Sequence, residues 1–116
     1  MITISLTTVG RRSGQERRVT LYAVEDGDAL GIAGSGAASR VMRQPGWVYN
    51  LRENPRARVR RDKVEYDVVA REAERQDRER IWSALCEAFP AYVRLQERAP
   101  FRFAVFVLEP VRPIDT

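Results

Sequence analysis

Four arginines surround a short turn near the start of this 116-residue sequence, and their chemistry suits an anion. They are Arg11, Arg12, Arg17 and Arg18, with Ser13 and Gly14 between them. Guanidinium groups keep their charge and pair bidentately with phosphate and carboxylate oxygens, and the N–H groups of such a turn point readily at one oxyanion. The pattern predicts an anion site; the alternative is a solvated basic turn that only helps solubility.

A second candidate is the small-residue segment formed by Ala33, Gly34, Ser35 and Gly36, which follows a predicted strand. Residues without bulky side chains let the backbone approach a flat ligand closely. The alternative is a plain turn, because the sequence completes neither the dinucleotide fingerprint G-x-G-x-x-G nor the Walker pattern.

Aromatic residues mark two further candidate positions. Trp47 and Asn50 are three positions apart and share one face if residues 45–55 are helical, although a core Trp and a capping Asn would give the same pattern. Phe89, Pro90 and Tyr92 follow the main predicted helix and are suited to wall a pocket for an aromatic substrate, unless they belong to the core.

Composition excludes several classes of enzyme. The sequence has no histidine and one cysteine, Cys86, which argues against Ser-His-Asp and Cys-His hydrolases, Cys/His zinc sites and an internal disulfide. The net charge of +4 favours an anionic partner. Residues 1–8 lack the features of a signal peptide, and no apolar run reaches the roughly 18 residues that cross a bilayer, so we expect a cytoplasmic protein.

Hydrophobic periodicity predicts one domain, residues 1–116, of the mainly β (α+β) class. Predicted strands cover residues 2–8, 18–24, 29–33, 57–61, 63–71 and 101–108, and predicted helices cover residues 47–53, 74–89 and 91–98. Val64, Tyr66 and Val68 are expected on one face of the fifth strand, and Ile81, Leu85 and Ala88 on the apolar face of the main helix. Six short strands in a small domain favour a barrel, because closure removes exposed edges.

Five segments together resemble one known family. They are LTTVGRRSG at 6–14, EDGD at 25–28, WVYNL at 47–51 with NP at 54–55, EAFPAY at 87–92 and VFVLEP at 105–110. In this order and spacing, over nearly the whole chain, they resemble the deazaflavin-dependent nitroreductase and quinone reductase family of actinobacteria.

The resemblance implies a split β-barrel of the flavin-reductase-like (FMN-binding split barrel) kind that binds coenzyme F420, a flat deazaflavin with a phosphate and an oligoglutamate tail. It implies an F420H2-dependent oxidoreductase that transfers a hydride to a quinone or nitroaromatic acceptor. The phosphate and tail would be held by Arg11, Arg12, Ser13, Arg17 and Arg18. The ring and linker would be lined by Val19, Thr20, Leu21, Tyr22, Ala33, Gly34, Ser35, Gly36, Gly46, Trp47, Val48, Tyr49 and Asn50. Tyr92 would close the substrate side, and Ser35 or Tyr92 is expected to donate a hydrogen bond to the developing oxyanion.

The sequence departs from the family pattern on the acceptor side. Many members have a second glycine, a His-Pro pair and a Tyr-rich segment where this chain has AASR at 37–40, QPG at 44–46 and YVRL at 92–95. The natural acceptor is therefore open, as are the choice between monomer and homodimer and any contact with the inner face of the membrane.

Two other functions compete with this interpretation. One keeps the barrel but binds FMN or haem, although four arginines exceed what one FMN phosphate needs. The other is nucleic-acid binding, which we do not expect because acids such as Glu65, Asp67 and Glu74 are interleaved with the bases and no aromatic-basic sheet pattern is present.

Overall fold

Within residues 2–35 and 43–111, the part of the chain that the computed structural model describes, six strands and three helices form. The strands are β1 (Ile2–Val9), β2 (Glu16–Asp26), β3 (Ala29–Ala33), β4 (Arg56–Arg61), β5 (Val64–Glu72) and β6 (Val105–Pro110). The helices are α1 (Gly46–Glu53), α2 (Arg75–Ala88) and α3 (Ala91–Arg98). Gly36 and the departure at 37–40 lie outside the described residues.

The strands close into an antiparallel barrel in the order β1-β2-β3-β6-β5-β4, which confirms the predicted split-barrel class. β1 pairs with β2 along its whole length and with β4 through a shorter stretch, so that Leu6 lies opposite both Val19 and Val59. Period-two alternation accounts for β1, in which Ile4 and Leu6 are buried and Thr3 is exposed.

One hydrophobic core fills the barrel and extends to α1. Ile4, Leu6, Ile32 and Phe106 belong to it, as does Trp47 of the helix. Arg52 ties the helix to the end of β5, donating from Nε and Nη2 to the Glu72 carboxylate at 2.9 and 2.8 Å. This pairing lowers the pKa of Glu72, because hydrogen bonds from a cation favour the carboxylate. The exposed pair links the last turn of α1 to the end of β5 and contributes little to stability.

A second core lies between the outside of the barrel and the helices α2 and α3. It contains Ile81, Leu85, Phe89 and Tyr92 packed with Val105 and Val107. All five residues of β3 are buried, as are the first four of β6, because these strands have a core on each face. A strand buried on both faces has a continuous apolar sequence, as seen in both segments.

The last strand begins later than its aromatic sequence predicted. β6 starts at Val105, and Phe101 and Phe103 lie in the connection before it. The Gln96 side chain holds that connection: its Nε2 donates to the Phe101 carbonyl at 2.9 Å and its Oε1 accepts from the Phe103 N–H at 2.8 Å. The side-chain amide replaces the partner strand that this backbone would otherwise need.

One positional prediction was wrong, and another held only in part. Ala88 is exposed, because the buried face of α2 follows the four-residue spacing of Ile81, Leu85 and Phe89 and does not include position 88. Val64 is 63% exposed at the start of β5, where the hairpin leaves the barrel, although Val68 on the same face is buried. No helix in the described ranges is long and apolar enough to cross a membrane.

The close packing of α2 on β3 leads to a stability prediction. A Cβ at Gly31 would lie 2.6 Å from Cγ2 of Ile81 and 3.2 Å from Cγ2 of Val24. We expect Gly31→Ala to lower the free energy of unfolding by about 1–3 kcal/mol through overpacking, measured by urea denaturation. Ile81→Ala should lower the free energy of unfolding less in the Gly31→Ala variant than in the wild type, because it removes the side chain that clashes with the added Cβ. Additive losses in the double variant would contradict this packing.

Candidate functional site

Two adjoining clefts run along the side of the barrel between β2, α1 and α3. The larger has a volume of about 840 Å³ and the smaller of about 470 Å³. They share four lining residues, Val19, Pro45, Gly46 and Trp47. The two clefts therefore form neighbouring parts of one elongated site.

Aromatic rings form one wall of the larger cleft. Tyr22 of β2 stacks on Phe89 with ring centroids 4.6 Å apart and planes 19° apart, and Tyr92 lies 5.7 Å from Phe89. Phe89 and Tyr92 are buried, whereas Tyr22 is 47% exposed. Ring faces of this kind stack well on a flat ligand.

Hydrogen bonds fix the turn that carries the arginines, which we call the arginine loop (residues 10–18). The Gly10 N–H donates to the Gln15 carbonyl at 2.7 Å, and the Gly14 N–H donates to the Gly10 carbonyl at 2.8 Å. Ser13 Oγ accepts from the Gln15 N–H at 3.2 Å. Gly14 has a φ of 72°, in the left-handed region that favours glycine.

The arginines of this loop lack acidic partners. In residues 2–35 and 43–111, Arg11, Arg12, Arg17 and Arg18 form no ion pair with a carboxylate. The acid nearest to them in sequence, Glu16, is engaged by Arg58 at 2.6 Å. The smaller cleft is therefore lined by positive charge that a ligand can neutralise.

Asn50 of α1 joins the helix to the arginine loop. Its Oδ1 accepts from the Arg11 N–H at 3.2 Å and from Arg11 Nη1 at 3.1 Å, and its Nδ2 donates to Thr8 Oγ1 at 3.1 Å. Asn50 is 5% exposed, so this amide is an internal connection more than a surface group. The alternative of a capping residue does not apply to Asn50, because the C-cap of α1 is Asn54.

The structure brings most of the predicted site residues together. The larger cleft is lined by Val19, Thr20, Leu21, Tyr22, Ala33, Ser35, Gly46, Trp47 and Tyr92. The smaller cleft is lined by Arg11, Arg12, Ser13, Arg17, Arg18, Val19, Gly46, Trp47 and Asn50. Their contact with a coenzyme stays a prediction.

Three predicted site residues line neither cleft. A Cβ at Gly34 would lie 2.7 Å from Cγ2 of Val48, so the missing side chain makes room for α1, and Val48 is fully buried there. Tyr49 is 40% exposed and lies under the Arg11 guanidinium, with Cζ 5.0 Å from the ring centroid.

Several lining residues were missed by sequence reasoning. In the larger cleft these are Thr3, Arg43 and Ala91, whereas Gln44, Pro45 and Leu95 come from segments that were predicted to lie on the acceptor side. Phe89 lines it as expected, but Pro90 does not. Thr8 was missed although the alternation of β1 places it on the same face as Ile4 and Leu6, where a polar residue is a visible signal.

Burial changes the acidity of one residue in the larger cleft. Desolvation raises the pKa of the Tyr92 phenol to about 12, with smaller contributions from Tyr22 and Cys86. The shift therefore shows that the phenol lies in a desolvated part of the cleft; a tyrosine is protonated at neutral pH with or without it.

The barrel, the aromatic wall and the basic loop define a split-barrel protein of the flavin-reductase-like class. A solved F420-H2 dependent reductase (FDR-A) superposes with a TM-score of 0.81 at 30% identity, over 92% of this chain and 93% of that one. A domain-swapped dimer gives a TM-score of 0.82 at 30% identity, over 92% of this chain and 79% of that one. The haem storage protein HutZ of Vibrio cholerae, at 17% identity and a TM-score of 0.72 over 96% of this chain and 82% of that one, shares the fold.

Sequence comparisons show the family to which the chain belongs. The model of the F420H(2)-dependent quinone reductase family matches residues 1–110. An F420H(2)-dependent quinone reductase of Mycobacterium tuberculosis (strain H37Rv) is 30% identical over 106 residues, covering 89% of this chain and 70% of the relative. The chain belongs to this family and is an oxidoreductase that depends on reduced coenzyme F420. The resemblance seen in the five segments is confirmed.

The raised pKa of Tyr92 is testable by ultraviolet titration. The difference in tyrosinate absorbance between the wild type and Tyr92→Phe isolates this phenol, and its midpoint should lie near 12 instead of about 10, the value in water. The folded-state pKa lies above the unfolded one, so this group's contribution to stability is complete below about pH 10 and is lost as pH rises towards 12. Tyr92→Phe should remove that part of the pH dependence; a midpoint near 10 would mean that the phenol is solvated.

Proposed function

We propose that this protein transfers a hydride from reduced F420 to a quinone in the larger cleft. The observation that carries the proposal is the position of the two clefts: an aromatic-walled cleft adjoins one lined by arginines without acidic partners. One molecule with a flat ring at one end and several negative charges at the other fits both.

The residues present fit coenzyme F420. Arg11, Arg12, Ser13, Arg17 and Arg18 would hold the phosphate and the glutamates, because guanidinium groups pair with both kinds of oxyanion. Val19, Thr20, Leu21, Tyr22, Ala33, Gly46 and Trp47 would line the ring and linker. FMN carries a single phosphate and would leave several of these arginines without an anion.

The coenzyme, when bound, supplies a hydride from carbon 5 of its reduced ring; a quinone that takes up this hydride and a proton becomes a hydroquinone, and the deazaflavin is oxidised by two electrons. The task of the chain is to hold both reactants in contact and to stabilise the charge that forms on the acceptor oxygen. No catalytic base is required for hydride transfer itself. This agrees with a sequence that has no histidine.

Ser35 and Tyr92 are the groups that we assign to the acceptor oxygen. Both line the larger cleft, and both have a hydroxyl group that can donate a hydrogen bond at neutral pH. The α3 wall beside Tyr92 adds Ala91 and Leu95, which favours an apolar acceptor such as a quinone. Because quinones with long side chains dissolve in membranes, we place the reaction in the cytoplasm at the inner membrane face.

Coenzyme binding is tested by fluorescence titration of the protein with oxidised F420 and, separately, with FMN. We expect saturable F420 binding that Arg11→Ala plus Arg12→Ala weakens by about 10- to 100-fold, as expected for losing charge-assisted hydrogen bonds. The control is Arg60→Ala plus Lys63→Ala, which removes the same amount of charge from the β4–β5 hairpin. It should leave the Kd for F420 within about 2-fold, because salt screens the attraction between the coenzyme and distant exposed charges. Preferential FMN binding, or equal losses in both pairs, would contradict the assignment.

Hydride transfer is tested by the rate of F420H2 oxidation with a soluble quinone and with a nitroaromatic compound. We expect Ser35→Ala or Tyr92→Phe to lower kcat by about 100-fold, the typical cost of removing one oxyanion donor, with the Kd for F420 unchanged. Full activity in both variants would exclude these residues from the reaction. Faster turnover of the nitroaromatic than of the quinone would reassign the acceptor.

A further inference from the structure

Two polar side chains are buried in the described part of the chain, and a hydrogen bond joins them. Thr8 is 1% exposed and Asn50 is 5% exposed, and Asn50 Nδ2 donates to Thr8 Oγ1 at 3.1 Å. Burying polar groups costs free energy unless they are hydrogen-bonded, and an apolar pair would avoid that cost. Their presence calls for a role beyond packing.

The other end of the Asn50 amide holds Arg11. Oδ1 accepts from both the backbone N–H and the Nη1 of Arg11, at 3.2 and 3.1 Å. The carbonyl of Gly46 accepts from the same Nη1 at 3.4 Å, and the Tyr49 ring lies 5.0 Å from Arg11 Cζ. A continuous series of contacts thus runs from β1 through α1 to the arginine loop.

These contacts separate Arg11 from the other arginines of the loop. Within the Arg11 side chain these hydrogen bonds use Nη1, and in residues 2–35 and 43–111 no hydrogen bond engages Nε or Nη2. Arg12, Arg17 and Arg18 have no side-chain hydrogen bond within the same ranges. A long side chain that is already ordered loses less conformational entropy when it binds an anion.

We propose that Asn50, supported by Thr8, is a positioning residue that holds Arg11 ready for the anionic part of the coenzyme. Asn50 acts through Arg11, because both ends of its amide are engaged within the protein, Oδ1 by Arg11 and Nδ2 by Thr8. This inference rests on the proposed placement of the phosphate and tail at the arginine loop.

The test compares two ligands by fluorescence titration: whole F420, and the deazaflavin ring with its ribityl chain but without phosphate or glutamates. We expect Asn50→Ala to weaken F420 binding by about 3- to 10-fold, the cost of immobilising one long side chain, and to leave binding of the fragment within about 2-fold. Arg11→Ala should weaken F420 binding further. In the Arg11→Ala background, Asn50→Ala should change the Kd for F420 by less than about 2-fold, because the arginine through which Asn50 acts is gone.

Two further variants separate positioning from damage to the fold. Asn54→Ala makes the same chemical change four residues along, at the C-cap, where the side chain accepts from the Arg56 N–H, and it should leave F420 binding unchanged. Thr8→Val keeps the shape of the buried residue and removes the acceptor for Asn50 Nδ2. It should weaken binding of F420, and not of the fragment, in the same direction as Asn50→Ala.

The outcomes distinguish the inference from the function on which it rests. Equal weakening of F420 and fragment by Asn50→Ala, or additive losses with Arg11→Ala, would overturn the positioning role. Unchanged F420 binding in Asn50→Ala, with a loss in Arg11→Ala, would overturn it while leaving the anion site intact. Unchanged F420 binding in Arg11→Ala would contradict both the placement of the anion at Arg11 and the positioning role of Asn50.

Discussion

Closure of the sheet by the pairing of β1 with β4 holds the second half of the first strand in place, and the arginine loop follows directly after that strand. Thr7 lies opposite Arg58 in this pairing, and the chain then turns through Gly10 and back along β2. Because the same strand also contacts α1 through Thr8 and Asn50, one closed ladder sets the distance between the helix and the basic turn. The smaller cleft is the space between them.

The larger cleft depends on the burial of β3 and β6 from both sides. The outer core draws α2 and α3 onto these strands, and the turn between the helices brings Phe89 and Tyr92 beside Tyr22 of β2. The aromatic wall is therefore made from residues that are distant in sequence. Surface ion pairs add little stability, but Arg58 engages Glu16 and leaves the arginines of the loop available to an anion.

The order of elements and the barrel were predictable from the sequence because alternation, turn residues and apolar runs are local signals. Predicted bounds failed where a side chain from elsewhere decided the backbone. Gln96 satisfies the backbone of Phe101 and Phe103, so their aromatic, strand-like sequence forms a connection. Gly34 was predicted as a ligand-approach position, and only the structure shows that its missing Cβ also makes room for Val48.

The sequence by itself determined the chemistry available: an arginine turn able to hold several negative charges, aromatic residues for a flat ring, and no histidine for acid–base work. It also carried the five segments by which the family is recognised. Only the tertiary structure decided which arginine is held and by what. The contact between Arg11 and Asn50 joins residues 39 positions apart, and no local pattern encodes such a pairing. It exists because barrel closure and the packing of α1 bring the two residues within hydrogen-bond distance.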